Sequence, residues 1–181
     1  MKLTTFALLA IALTTVPAVA DTMYTYTGTP FTTASGPLTT SDFVSGEITV
    51  ATPLAANMAL TFITPESFSF TDGVNTVSSP VLVGSDNFEV STDSTGDINF
   101  WAIFFVTGDT GTQFLNTKHV PAVSQDQAGS SDTGYFALSN VPGTWSVSTV
   151  GVTPEPSSLV LLGTGLAGFA GALRRRLARR S

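Results

Sequence analysis

His119 is the only histidine of the chain, cysteine is absent, and thirteen carboxylates are present. These residues bound the chemistry available. A catalytic imidazole needs a nucleophile and an orienting acid beside it, and spacing alone supplies neither. His119 follows Lys118 in a polar stretch without period, so it reads as a loop histidine. One histidine and no cysteine exclude a zinc site unless carboxylates complete it. Calcium has the better candidate, because Asp93-Ser94-Thr95-Gly96-Asp97 gathers oxygen ligands in a tight turn. That run lacks the spacing and closing glutamate of an EF-hand loop. The same residues also suit a β-turn, where Asp and Ser bond their own backbone and Gly takes positive φ. Asp72-Gly73 and Asp86-Asn87 read as turns for the same reason. Paired carboxylates could hydrolyse a glycoside at the right separation, but the sequence gives no separation. No enzymatic activity and no cofactor is expected, with calcium at residues 93–97 as the alternative. Tyr24, Tyr26 and Trp145 could stack on sugar rings, although tyrosine and tryptophan in strands more often pack inward.

Charge is unevenly placed. Of seven basic residues, Lys2 lies near the start and Arg174, Arg175, Arg176, Arg179 and Arg180 lie near the end. Residues 21–153 hold twelve of the acids against Lys118 alone, a formal charge of −11. Such a body is repelled by nucleic acid and by anionic headgroups, so no nucleic-acid partner is expected. The bland account of that charge is solubility. Without disulfides the core must hold the fold, and thirteen phenylalanines supply it.

Both ends carry addressing signals. Met1-Lys2 is a short positive start, residues 3–16 are apolar, and Pro17 breaks the run. Ala18 and Ala20 offer the small residues that signal peptidase requires, so residues 1–20 read as a signal peptide. Near the other end, Pro154-Glu155-Pro156 precedes an uncharged stretch, residues 157–173, and then the arginine cluster. Seventeen residues are at the short end of what crosses a bilayer as a helix. The arginines would stay in the cytoplasm as a stop-transfer. Gly163, Ala167 and Gly171 fall four apart, a small-residue spacing that permits close helix contact in lipid.

Between these ends the chain is rich in Thr, Ser, Gly, Val and Phe, which predicts an all-β domain. Strands are expected at residues 23–27, with Tyr24 and Tyr26 on one face, and at 44–50, with Val44, Ile48 and Val50 inward. Further strands are expected at 59–64, pairing Leu60 with Phe62 on one face, at 67–71 and at 74–77, the last two joined by a hairpin at Asp72-Gly73. Residues 81–83 read as an edge piece, and 87–92 carries Phe88 and Val90 inward. The run 98–106 is apolar on both faces, as in a central strand covered on both sides. A short strand is expected at 114–115, a loop at 118–133, and last strands at 135–138 and 145–152. The spacing suggests a sandwich, with a jelly roll or barrel as the alternative.

The order V-T-P-E-P-S-S-L-V-L-L-G-T-G-L-A-G-F-A-G-A-L-R-R-R resembles the PEP-CTERM sorting signal. The stretches at residues 57–73 and 91–101 look like segments of the small β ectodomains that accompany it. The resemblance implies removal of the tail by a membrane-embedded transpeptidase, an exosortase, and delivery to the bacterial surface or an exopolysaccharide matrix. With the readings of the start and the middle of the sequence, this divides it into a signal peptide (1–20), a β-rich ectodomain (21–152) and a sorting module (153–181). The partners it implies are signal peptidase, exosortase and the membrane through residues 157–173. Exopolysaccharide is a further candidate partner, through a carbohydrate-binding face. A permanently anchored single-pass protein is the remaining alternative.

Overall fold

The structure is a computed structural model that describes residues 20–79, 87–107, 112–150, 163–165 and 168. Among the described residues twelve strands form two antiparallel sheets, and their buried side chains form one core between them. The five-stranded sheet has the order β12-β1-β3-β5-β6. It comprises β1 (Asp21–Thr27), β3 (Ser45–Val50), β5 (Ser67–Thr71), β6 (Thr76–Ser78) and β12 (Thr144–Val150). The seven-stranded sheet has the order β2-β11-β10-β9-β8-β7-β4. Its strands are β2 (Thr33–Ala34), β4 (Thr61–Phe62), β7 (Asn87–Thr92), β8 (Ile98–Thr107), β9 (Gln113–Val120), β10 (Val123–Ser130) and β11 (Tyr135–Ser139). This is a β-sandwich, and β7 to β11 run as an uninterrupted antiparallel meander.

Period-two patterning explains which side of each strand is buried. In β1, Thr22, Tyr24 and Tyr26 are buried. In β3, Ile48 and Val50 are buried; in β5, Phe68 and Phe70; in β7, Phe88 and Val90. The β5–β6 hairpin forms at Asp72-Gly73, where the Asp72 carboxylate accepts from the amides of Val74 and Asn75 and Gly73 has φ of 97°. Asn75 then donates through Nδ2 to the Tyr135 hydroxyl at 2.9 Å, which ties this hairpin to β11 of the other sheet.

Aromatic rings join the sheets. Phe68 and Phe70 of one sheet meet Phe105 of the other at 5.3 and 5.1 Å, and Phe88 closes on Phe68 and Phe105. Phe70 also reaches Trp145, which packs on Tyr26 and Trp101. Such contacts add to the area each ring buries.

Three expectations are corrected. Residues 118–133 are not a loop: they complete β9 and form the whole of β10, joined at Pro121-Ala122. The period was hidden because the inward residues of β10 are Ser124, Asp126, Ala128 and Ser130, not large apolar ones. The strand at 59–64 shrinks to the two residues of β4, leaving Leu60 and Phe62 exposed. Finally, β8 is internal in its sheet but covered on one side only. Trp101, Ile103 and Phe105 are buried, while Phe100, Ala102, Phe104 and Val106 on the outer face are half-buried. The expected piece at 81–83 and the turn at Asp86-Asn87 fall largely outside the described residues, as does the signal segment up to Val19.

Truncating Phe105, which has no exposed surface, should lower the unfolding free energy by about 3–5 kcal/mol. Phe62→Ala, at an exposed edge, should change it by less than about 0.5 kcal/mol. Urea midpoints of the two variants check this.

Candidate functional site: the β1–β12 pair and its buried polar network

The first strand lies beside the last one. β1 and β12 pair over their whole length, from Thr27 opposite Thr144 to Asp21 opposite Val150. Facing residues of an antiparallel pair are about 5 Å apart. Ala20, the last residue of the expected signal peptide, therefore lies next to the end of β12 at Val150. Pro154, Glu155 and Pro156 begin four residues beyond β12. They lie outside the described residues, as do Ala18, Arg174, Arg175, Arg176, Arg179 and Arg180. Most of the expected span at 157–173 lies outside them too. Residues 163–165 and 168 are helical and exposed, and a Cβ at Gly163, Gly165 or Gly168 would meet nothing within 4 Å beyond its chain neighbours and its own helix backbone. Among the described residues no helix is long and apolar enough to cross a membrane.

A buried polar chain holds β1 and the entry to β12 in place. The Tyr26 hydroxyl, in the five-stranded sheet, donates to the carboxylate of Asp126, in the seven-stranded sheet, at 2.8 Å. Neither residue has exposed surface. The same hydroxyl oxygen accepts from the Gly143 amide at 3.0 Å, one residue before β12 begins. Thr117 also bonds Asp126, and the Trp101 indole donates to the Thr117 hydroxyl at 2.8 Å. Two glycines make room. A Cβ at Gly28 would stand 2.4 Å from Asp126 Oδ2, and one at Gly143 would stand 2.5 Å from the Tyr26 hydroxyl.

Burial pushes the Asp126 carboxyl up to about 6, against the opposing pull of its bonds from Thr117 and Tyr26. Burial first, and the neighbouring Asp126 charge second, push the Tyr26 phenol up. The network is polar and enclosed, and it links the two sheets through Tyr26 and Asp126. Sequence reasoning missed Asp126 because it sits in the stretch read as a loop. An isolated acid flanked by two glutamines gave no signal of burial.

The other candidate residues are dispersed. His119 lies on β9, not in a loop. It shares a 2.7 Å hydrogen bond with Ser124 through Nδ1, and its ring packs against Phe100 and Trp101. In the β7–β8 turn, Asp93 Oδ1 accepts from the amides of Thr95 and Asp97 and from the Thr95 hydroxyl. The bonds from Thr95 hold the Asp93 carboxyl below its ordinary range. The turn chemistry thus accounts for these carboxylates. Among the described residues no three His, Asp or Glu side chains come together as a metal site would need. Tyr24 and Tyr26 are buried and Trp145 is half-buried, so these rings do not form an exposed stacking platform. Instead, the outer face of the five-stranded sheet carries an open trough of about 380 Å³ lined by Thr25, Thr27, Ser45, Glu47, Ser69 and Thr71.

Comparison with known proteins bears on the end of the chain. The family model of the PEP-CTERM protein-sorting motif matches residues 152–176. No curated protein and no solved structure matches the chain.

A raised carboxyl stabilises the fold when protonated. Asp126 should contribute fully below its unfolded value near 3.8 and lose that contribution as pH rises through about 6. The difference corresponds to about 3 kcal/mol. The melting temperature should therefore fall between pH 4.5 and pH 7.5. Asp126→Asn, which keeps the shape and stays neutral, should flatten that slope.

Proposed function

Since the chain carries a PEP-CTERM protein-sorting motif at residues 152–176, we infer that it is an exported, non-enzymatic protein of the bacterial surface or extracellular matrix. The motif implies export and sorting to the cell surface by an exosortase-type route. A membrane-held precursor, inserted through residues 157–173 and retained by Arg174 to Arg180, would precede release or attachment. Glu155 and its flanking prolines would be the segment the sorting enzyme contacts.

The observation that carries this reading is the motif match, which starts two residues after β12 ends at Val150. Cleavage near Pro154-Glu155-Pro156 would remove the tail and leave every strand in place. Prolines there favour an extended backbone, the form in which proteases take their substrates.

A second reading, a polysaccharide-binding module, draws support from the trough on the five-stranded sheet. A neutral polysaccharide would lie along its hydroxyl groups, with Glu47 as the one acidic side chain among them. Without an exposed ring to stack on, its affinity would rest on hydrogen bonds that water also satisfies.

Intact-mass measurement of the protein recovered from a host with the sorting enzyme should give a chain that ends near the Pro-Glu-Pro segment. A mass that retains the arginine tail would support the permanently anchored alternative instead. Deleting residues 174–180 should let the precursor pass through the membrane unprocessed. For the second reading, Thr25→Glu with Ser69→Glu should reduce retention on a neutral exopolysaccharide, and unchanged retention would remove the trough as a binding face.

A further inference from the structure

Among the described residues four strands border the two sheets. β2 and β4 have two residues each and β6 has three. Such short edges offer little backbone to an incoming strand. The fourth border, β12, has seven residues and pairs with β1 in continuous register, without a bulge. Its sequence, T-W-S-V-S-T-V, contains no charge and no proline, so it lacks the usual guards against strand addition. Among the described residues β1 is its one pairing neighbour. Residues 146–150 are all exposed. Val147 stands opposite the buried Tyr24 and so points to the core side, yet it is 48% exposed.

We propose that the free edge of β12 pairs with β12 of a second copy of this chain, antiparallel about a two-fold axis at Val147, joining two five-stranded sheets into one of ten strands. The edge is complementary to itself. Val147 would face the partner's Val147, Ser146 the partner's Ser148, and Trp145 the partner's Thr149. Each pair joins apolar or hydroxyl side chains of kinds favoured across strands. Charge also selects this edge. Residues 21–153 carry −11, which opposes association of two copies. No ionisable acid or base lies between Asp132 and Glu155 except Tyr135, so β12 is a border where copies can meet without facing carboxylates. A two-fold contact of this kind is isologous and closes at the dimer.

The chain has no cysteine, so single substitutions report the register without background. In the full-length protein in mild detergent, Val147→Cys should form a disulfide-linked dimer under a mild oxidant, since facing Cα atoms are about 4.5–5.5 Å apart. Ser146→Cys mixed with Ser148→Cys should also crosslink. Thr144→Cys alone, whose counterpart in the partner lies about 20 Å away along the strand, should crosslink at least about tenfold more slowly. Dimers driven by the apolar tail would link all of these without regard to register. The cysteine-free variant Val147→Lys should lose the dimer while keeping its melting temperature, read by light scattering and circular dichroism. Equal crosslinking of Val147→Cys and Thr144→Cys would overturn the proposal. So would an unsubstituted chain that stays monomeric at about 100 μM.

Discussion

A carboxylate with no exposed surface, Asp126, faces a tyrosine hydroxyl across the gap between two sheets. Much of this fold follows from satisfying that one group. Removing either partner would strand a polar atom where water cannot compensate. The pair therefore fixes how the sheets are placed on each other, which apolar packing alone would leave less specified. Gly28 and Gly143 lack side chains where a Cβ would collide with it. Through the Gly143 amide the same hydroxyl sets where the chain turns into β12. The interaction thus reaches from the core to the strand that leads into the sorting motif.

The two outer faces of the sandwich differ in chemistry. The five-stranded sheet presents Thr25, Thr27, Ser45, Ser69 and Thr71 around Glu47. The seven-stranded sheet presents Phe100, Phe104 and Phe114 half-buried and Phe136 exposed. Both faces satisfy strand propensity, because Thr and Phe suit a pleated surface equally well. Propensity therefore cannot tell which apolar residue is core and which is surface. That ambiguity made 98–106 look like a strand covered on both sides.

Legibility varied along the chain for physical reasons. Tyr24 and Tyr26, Phe68 and Phe70, and Phe88 and Val90 alternate with polar residues, so their strands and inward faces could be read directly. The Asp72-Gly73 hairpin was visible because Gly there must take positive φ. By contrast, β10 buries Ser124, Asp126, Ala128 and Ser130, residues whose burial depends on partners far away in sequence. Asp126 meets Tyr26 across 100 positions, and local periodicity carries no trace of such a contact. His119 lies on a strand for the same reason: β9 is set by its pairing with β8 and β10, not by a period of its own.

The sequence by itself determined the sorting motif of this protein. The proline pair, the apolar stretch and the arginine cluster are local features, and a linear motif is read in order without any fold. It also determined the all-β class and most inward-facing residues, since alternation is a property of neighbours in the chain. Only the tertiary structure decided that the first and last strands lie side by side, that a tyrosine and an aspartate share a buried bond, and that β12 is left as a long uncharged edge. Those are pairings between distant segments, set by which surfaces exclude water together and which buried polar groups find a partner.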